Sequence, residues 1–150
     1  MRSVSTHETG GMKKVMVFGT FDIVHAGHLY LFQQARKLGD YLIAVVARDV
    51  NVKKIKGNAP LHTEHERKYF LEHIDFIDRA VLGGLIDVRD AIRKLQPDII
   101  ALGYDQKAFV DEVKKYIKES GRTVKIVRLK PYKAHRYKTG KMKNYLDRQV

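Results

Sequence analysis

Short runs rich in Val, Ile and Leu alternate with longer amphipathic stretches along this chain, and this alternation limits the fold more than any other feature. The apolar runs predict strands at Lys14 to Phe18, Tyr41 to Ala47, Arg79 to Leu82, Ile99 to Leu102 and Val124 to Leu129. Each run is almost continuously apolar, as a parallel strand must be when helices cover both faces of its sheet. The sequence therefore predicts an α/β fold with a five-stranded parallel sheet flanked by helices.

Helices are predicted in the intervals between these strands. Apolar side chains at helical spacing mark the first helix, at Leu29, Phe32, Ala35 and Leu38. A second helix begins near Thr63, which forms with Glu66 the pattern of a capping box. The other predicted helices span 87–95 and 110–119, with a last one near Lys141.

The predicted boundaries leave one domain. Gly39 and Gly121 are predicted to end helices, because glycine is favoured just beyond a helix end. Residues 1–12 are rich in Ser, Thr and Gly and are predicted to be a disordered N-terminal extension. Residues 13–150 then form a single domain, as a length of 150 residues indicates.

Composition excludes several classes of function. The chain has no Cys, which excludes disulfide scaffolds, thiolate metal sites and cysteine nucleophiles. No apolar stretch approaches the roughly 18 residues that a membrane-spanning helix needs, and no secretory signal is present, so we expect a cytoplasmic protein with no membrane partner. The net charge of +12 indicates an anionic ligand or partner, either a nucleotide, a phosphate ester, a nucleic acid or an acidic surface.

The turn after the first predicted strand carries the strongest functional signal. It runs from Gly19 to His28, with the sequence GTFDIVHAGH, and enters a helix. Ligands of open parallel sheets bind beyond the carboxyl ends of the strands. Gly27 allows a phosphate to come close, the helix start favours an anion, and His25 and His28 lie one turn apart. The alternative is that both histidines are ordinary helix-start residues satisfied by backbone carbonyl groups.

This segment resembles the (T/G)-T-F-D-x-x-H-x-G-H signature of the cytidylyltransferase-like nucleotidyltransferases. The resemblance extends through most of residues 13–130 and is greatest to the archaeal-type FAD synthetases. It includes Ala47 to Asp49, Lys56-Gly57, Glu66-Arg67 and Leu102 to Gln106. It implies a single Rossmann-like domain that transfers a nucleotidyl group.

The resemblance also implies roles for particular residues. The implied nucleotide-binding set is Thr20, Phe21, Asp22, His25, Gly27, His28, Asp105 and Tyr132. His25, His28 and Lys56 are the implied catalytic residues, and Arg67 matches an arginine that orients an acceptor phosphate. For the lysines at 53, 54 and 56, the alternative is a solvated basic loop after the second strand. For Arg67 it is a surface arginine on a helix.

No resident metal site is predicted. His62, His65 and Glu66 have residue types that bind zinc, but exposed histidines in a loop and a first helical turn explain them without a further ligand. Mg²⁺ is expected instead as the companion of a nucleoside triphosphate, because this ion usually keeps several waters and is held partly by substrate phosphates.

Three functions remain open at this point. The first is FAD synthesis from ATP and FMN with release of pyrophosphate, and the second is transfer from CTP to glycerol 3-phosphate or a similar phosphorylated alcohol. The glycerol-phosphate enzymes end in an R-T-E-G-I-S-T-T segment, which residues 135–141 do not match. The third and lowest-ranked is a nucleic-acid-binding module, because nine Lys or Arg residues and no Asp or Glu occur over 122–143. Homodimers are common among small proteins, so a homodimer is a further expectation.

Overall fold

A computed structural model describes residues 11–132 and contains five strands in that range. The strands are β1 (Lys14–Gly19), β2 (Tyr41–Val46), β3 (Arg79–Leu82), β4 (Ile99–Leu102) and β5 (Lys125–Arg128). They form one sheet in the order β3-β2-β1-β4-β5, and every neighbouring pair is parallel. The predicted parallel sheet is confirmed, and each strand end lies within one residue of its predicted position.

The described residues also form five helices. These are α1 (Ala26–Arg36), α2 (Asp49–Lys56), α3 (Glu64–Glu72), α4 (Asp90–Leu95) and α5 (Val110–Ser120). None of the helices in this part of the chain is long and apolar enough to cross a membrane. The predicted N-terminal extension falls almost entirely, and the predicted helix near Lys141 entirely, outside the described residues.

The helices cover both faces of the sheet because side chains alternate along each strand. Val15 and Val17 in β1 pack with Phe32 of α1 and Leu71 of α3 in one buried cluster. Met16, between those two valines, points to the opposite face and joins the cluster formed with α4 and α5. The three inner strands β1, β2 and β4 therefore bury both of their sides, which explains their continuous apolar sequences, whereas the edge strands β3 and β5 are only partly covered.

Helix α2 corrects the predicted basic loop. Its eight residues include one buried side chain, Val52, so the segment has no apolar periodicity from which a helix could be predicted. Charge stabilises it instead. Asp49 lies in the first turn and the lysines at 53, 54 and 56 lie in the last, which complements the helix dipole at both ends. Gly57 then ends the helix with a φ of 84°, in the left-handed region.

The two glycines predicted to end helices have different roles. Gly121 caps α5 with a φ of 73°, as predicted. Gly39 does not cap α1, because the helix ends at Arg36 and Lys37 is its cap. A Cβ at position 39 would lie 2.6 Å from the carbonyl oxygen of Lys13, so this glycine allows two backbone segments to come close.

The strand order places a ligand site between β1 and β4. The chain leaves β1 for α1 on one face of the sheet and leaves β4 for α5 on the other face. The order of the strands reverses at this point, which opens a crevice beyond their carboxyl ends.

Candidate active site

A cavity of about 790 Å³ lies beyond the carboxyl ends of four strands, and we call it the site cavity. Its lining includes Gly19 at the end of β1, Ala47 after β2, Gly83 after β3 and Gly103 after β4. Because neighbouring strands are about 4.8 Å apart, the site cavity extends over roughly 14 Å across the sheet. Of the predicted site residues, it is lined by Thr20, Phe21, Asp22, His28, Lys56 and Asp105.

The turn after β1 holds an aromatic ring beneath the predicted histidines. Phe21 is buried and has a φ of 54°, which is uncommon for a residue other than glycine. Its ring packs against Phe32 at 5.3 Å and edge-on against His28 at 6.0 Å between ring centroids. A Cβ at Gly19 would lie 2.6 Å from this ring, so the Gly19 position accepts only glycine while the ring stays in place.

His25 and His28 are brought together by a capping box at the start of α1. The Nδ1 atom of His25 accepts a hydrogen bond from the backbone N–H of Gly27 at 3.0 Å. The Nδ1 atom of His28 accepts from the backbone N–H of His25 at 3.2 Å, and the ring centroids are 4.1 Å apart. Since Nδ1 is the acceptor in both rings, each neutral imidazole carries its proton on Nε2.

Electrostatics keep this histidine pair uncharged. Burial, together with the nearby His25 and Lys56, lowers the pKa of His28 from its ordinary value to about 4. Burial also lowers the pKa of His25. At neutral pH the pair therefore acts as two neutral donors rather than as cations. Each ring accepts a backbone N–H hydrogen bond through Nδ1, a contact that the alternative interpretation did not include.

Lys56 supplies a positive charge to the same cavity. It is the last residue of α2, is exposed, and lines the site cavity together with Lys54. Its charge is felt at His28, since it contributes to the lowered pKa of that ring. Lys53 lies in the same helical turn but does not line the cavity. The geometry thus agrees with the preference for Lys56 over Lys53 that the resemblance implied.

Asp22 lines the site cavity, and its predicted nucleotide-binding role stays a prediction. Its carboxylate is buried and accepts hydrogen bonds from the backbone N–H groups of Leu61 at 2.7 Å and His62 at 2.9 Å. The His62 ring also contacts the Asp22 carbonyl oxygen at 2.9 Å. The carboxylate therefore fastens the segment between α2 and α3 to the β1–α1 turn.

Arg67 is a buried residue of α3, not the surface arginine of the alternative interpretation. Its side chain is completely buried, and its orientation of an acceptor phosphate stays a prediction. The guanidinium donates to the carbonyl oxygen of Thr20 at 2.7 Å, to the carboxylate of Asp49 at 2.7 Å and to the carbonyl oxygen of His62 at 3.1 Å. It therefore ties the β1–α1 turn to the starts of α2 and α3.

Two further caps complete this junction. The carboxylate of Asp49 accepts from the N–H of Glu64, and the carboxylate of Glu64 accepts from the N–H of Asp49. The predicted capping box of Thr63 and Glu66 is confirmed, with both of its hydrogen bonds present. In the part of the chain that the structure describes, no group of three or more His, Cys, Asp or Glu side chains is arranged to hold a metal ion.

Comparison with known proteins places this geometry in a family. Residues 16–144 match the model of the family described as cytidylyltransferase-like. The chain is 45% identical to the FAD synthase of Aciduliprofundum boonei over 121 residues, which cover 81% of this chain and 80% of that protein. It is 42% identical to the FAD synthase of Pyrococcus horikoshii over 132 residues, or 86% and 88% of the two chains. The chain belongs to the cytidylyltransferase-like family.

A solved structure supports the same assignment. The protein titled lipopolysaccharide core biosynthesis protein from Thermoplasma volcanium is 42% identical and superposes with a TM-score of 0.75, covering 81% of this chain and 99% of that one. A protein of unknown function from Archaeoglobus fulgidus shares the fold, with a TM-score of 0.62 and 20% identity. The family resemblance that the segment from Gly19 to His28 predicted is confirmed.

The β4 end of this cytidylyltransferase-like site contains a residue to which the sequence analysis gave no role. The side chain of Gln106 donates to the carbonyl oxygen of Phe18 at 3.3 Å and accepts from the N–H of Gly103 at 3.2 Å. It thereby joins the ends of β1 and β4 at the crevice. Arg128 supports the turn by donating to the carbonyl oxygens of Gly103 and Gln106. Asp105 is exposed on this turn and lines the site cavity.

Tyr132 lies beside α1, not in the lining of the site cavity. Its ring centroid is 5.2 Å from that of Tyr30, and its carbonyl oxygen would be 3.7 Å from a Cβ at Gly27. Gln34 holds this segment by exchanging two hydrogen bonds with the backbone of Lys130. The chain after β5 thus crosses the N-terminal end of α1, close to the histidine pair.

The segment after β3 also lines the site cavity, and this role was not predicted. Gly83, Gly84, Ile86 and Val88 line it. The side chain of Asn51 donates to the carbonyl oxygens of Gly84 and Leu85, so α2 holds this segment. The segment contains no motif that the sequence analysis could have recognised, and only its position after a strand could have indicated a role.

Proposed function

We propose that this chain is an FMN adenylyltransferase, that is, a FAD synthase that transfers AMP from ATP to the phosphate of FMN and releases pyrophosphate. FAD synthases from several archaea are 41–45% identical to it over most of its length. The observation that carries the proposal is the placement of two neutral histidines at the start of α1, with Lys56 at the end of α2 close enough for its charge to act on His28. This is the position at which a parallel α/β sheet binds phosphate.

The proposed reaction forms one P–O bond and breaks another. An oxygen of the FMN phosphate attacks the α-phosphorus of ATP, and the bond from that phosphorus to the bridging oxygen breaks as its electron pair leaves with pyrophosphate. The attacking phosphate is already largely dianionic at pH 7, so it needs no general base. The protein therefore contributes positioning and charge stabilisation rather than proton transfer.

The histidine pair and Lys56 suit this task in different ways. The Nε2–H groups donate hydrogen bonds to phosphate oxygens at a fixed place, without changing their protonation as the reaction proceeds. Lys56 adds a full positive charge, which opposes the negative charge that collects on the leaving pyrophosphate. The dipole of α1 adds a partial positive charge at its N-terminal end.

The remaining contacts are assigned by position. Asp105, at the β4 end, is proposed to accept a hydrogen bond from the nucleoside of ATP, and Tyr132 to close over the phosphates beside α1. The backbone of Thr20 and Phe21 is proposed to line the phosphate path, with Gly27 leaving room for it. Mg²⁺ enters with ATP as part of the substrate complex.

The test is pyrophosphate release by the purified protein with Mg²⁺, crossing ATP and CTP with FMN and glycerol 3-phosphate. Release with ATP and FMN alone, accompanied by FAD, is expected, and chelation of Mg²⁺ should stop it. Release with CTP and glycerol 3-phosphate would instead establish the cytidylyltransferase activity. No pyrophosphate release with any of the four substrate pairs would contradict both activities.

A histidine variant tests the mechanism. Replacing His28 with Ala is expected to lower kcat by about 10²- to 10³-fold, as the loss of one charge-stabilising donor does in other enzymes. The same replacement at His73, an exposed histidine that caps α3, is the matched control and should leave kcat unchanged. A folded His28→Ala protein with full activity would contradict the mechanism.

The cytoplasmic location and the homodimer stay predictions. So does nucleic-acid binding through the basic segment, half of which lies beyond Tyr132 and outside the described residues.

A further inference from the structure

The site cavity offers more surface than the proposed contacts to ATP use. The phosphate contacts lie after β1, and the nucleoside contact lies after β4. The part of the cavity on the β3 side has a different chemistry, because its lining includes the apolar side chains Val45, Ile55, Ile86 and Val88. We call these four residues the apolar wall.

The apolar wall exposes large aliphatic side chains to solvent. Ile86 is 100% exposed and Ile55 is 55% exposed. A single exposed apolar residue is ordinary, but these two come from separate segments, helix α2 and the turn after β3, and line the same cavity. Such side chains gain free energy when an apolar ligand covers them.

The wall is held in place by bonds that do not involve a ligand. The Nδ2 atom of Asn51 in α2 donates to the carbonyl oxygens of Gly84 at 3.3 Å and Leu85 at 3.0 Å. Arg48 donates to the carbonyl oxygen of Gly83 at 3.3 Å. A Cβ at position 84 would collide with the carbonyl oxygen of Asp87, so the segment is tightly turned. A preformed apolar surface binds a ligand at a lower entropic cost than a mobile one does.

The order of the strands fixes where the wall lies relative to the other contacts. In the sequence β3-β2-β1-β4, the histidine pair follows β1 and therefore lies between the apolar wall and Asp105. With adenosine proposed at the β4 end, the β3 side of the cavity is open to an acceptor whose phosphate reaches the histidine pair.

We propose that the isoalloxazine ring of FMN binds against the apolar wall, with Ile55 and Ile86 as its main contacts. This inference rests on the proposed FAD synthase function and adds the site that recognises the flavin. FMN joins a phosphate to a flat, largely apolar ring through a flexible ribityl chain. The site cavity has a phosphate site and an apolar surface separated by about one to two strand spacings, or roughly 5–10 Å. A phosphorylated alcohol without a ring would leave the wall uncovered.

The test compares Ile55→Ser and Ile86→Ser with Leu85→Ser. Leu85 is the matched control, because it is 51% exposed, adjoins Ile86 and does not line the cavity. Steady-state kinetics give KM for FMN and for ATP, and quenching of flavin fluorescence gives FMN binding directly. Each isoleucine variant is expected to raise KM and Kd for FMN about tenfold, which equals about 1.4 kcal/mol, while KM for ATP and the unfolding midpoint stay constant.

Several results would overturn the inference. A rise in KM for ATP instead of FMN would place the adenosine on the apolar wall. Equal rises in Kd for FMN in Leu85→Ser and Ile86→Ser would show that FMN binding depends on the conformation of the segment after β3 and not on contact with Ile86. Unchanged FMN binding in both isoleucine variants would show that the apolar wall does not contact the flavin. If the wild-type protein makes no FAD, the proposed function fails, and the fluorescence titration still decides whether the wall binds flavin.

Discussion

Replacing Arg67 with Met keeps the length of the side chain but removes every hydrogen bond of its guanidinium group. In the wild-type protein this group donates to the carbonyl oxygens of Thr20 and His62 and to the carboxylate of Asp49. The variant leaves these acceptors without their partner inside a closed junction. We therefore expect a large loss of stability, whereas an arginine that only contacts substrate would lose activity and keep its stability.

The size of the effect follows from burial. Removing one partner of a buried ion pair costs about 3–5 kcal/mol. The side chain of Arg67 is 0% exposed, but that of Asp49 is 39% exposed, so water offsets part of the loss at the carboxylate. We expect the free energy of unfolding to fall by about 3 kcal/mol, at the lower end of this range. That is a large share of the 5–15 kcal/mol typical of a domain.

Urea denaturation followed by circular dichroism measures the loss. With a slope of about 2 kcal/mol per molar urea, the midpoint should fall by about 1.5 M. Lys68→Met is the matched control on the same helix, because Lys68 forms an exposed ion pair with Glu72 at 3.5 Å. Such pairs contribute at most about 0.5 kcal/mol. A shift in the Arg67→Met midpoint below about 0.5 M, combined with a raised KM for FMN, would refute the structural role and support the acceptor-phosphate role.

Two further predictions concern the start of α1. Folding lowers the pKa of His28 to about 4, so its imidazole should titrate near that pH in the NMR spectrum of the free protein, with the proton on Nε2 above it. Between about pH 4 and pH 6.5 the His28 imidazole binds more protons in the unfolded chain than in the folded protein, so His28 should make the protein less stable as the pH falls through this window. A titration midpoint of His28 above pH 6 would contradict this. In Gly27→Ala, a Cβ 2.8 Å from the His25 ring should displace that ring and lower kcat at least about tenfold. Because Ala has a higher helix propensity than Gly, the urea midpoint should stay constant or rise. An unchanged kcat would show that the position of the His25 ring is unimportant for catalysis.

The strands and the histidine motif could be predicted because their signals are local. A strand covered on both faces needs apolar residues at every position, and that need is visible in a run of four to six residues. The segment from Gly19 to His28 follows such a run and leads into α1, so its place at the end of β1 could be predicted as well. The capping box at Thr63 was visible for the same reason, since its partners are three residues apart.

Helix α2 and the apolar wall could not be predicted in this way. One side chain of α2 is buried, so the periodicity that reveals a helix is missing, and its stabilising contacts come from α3. Ile86 has the sequence signal of a core residue, yet it is fully exposed in the site cavity. A pattern of apolar residues indicates which side chains avoid water, but it does not distinguish a core from a ligand surface.

The sequence by itself determined the parallel sheet, the position of the histidine-containing turn after β1 and the family to which the chain belongs, because each depends on neighbouring residues. Only the tertiary structure decided which polar side chains face the ligand and which hold the protein together. Arg67 bonds to Thr20 across 47 residues, and Asp22 bonds to Leu61 across 39. The energy of a buried charge depends on the partner that folding brings to it, and residues this far apart in the chain carry no local sign of that partner.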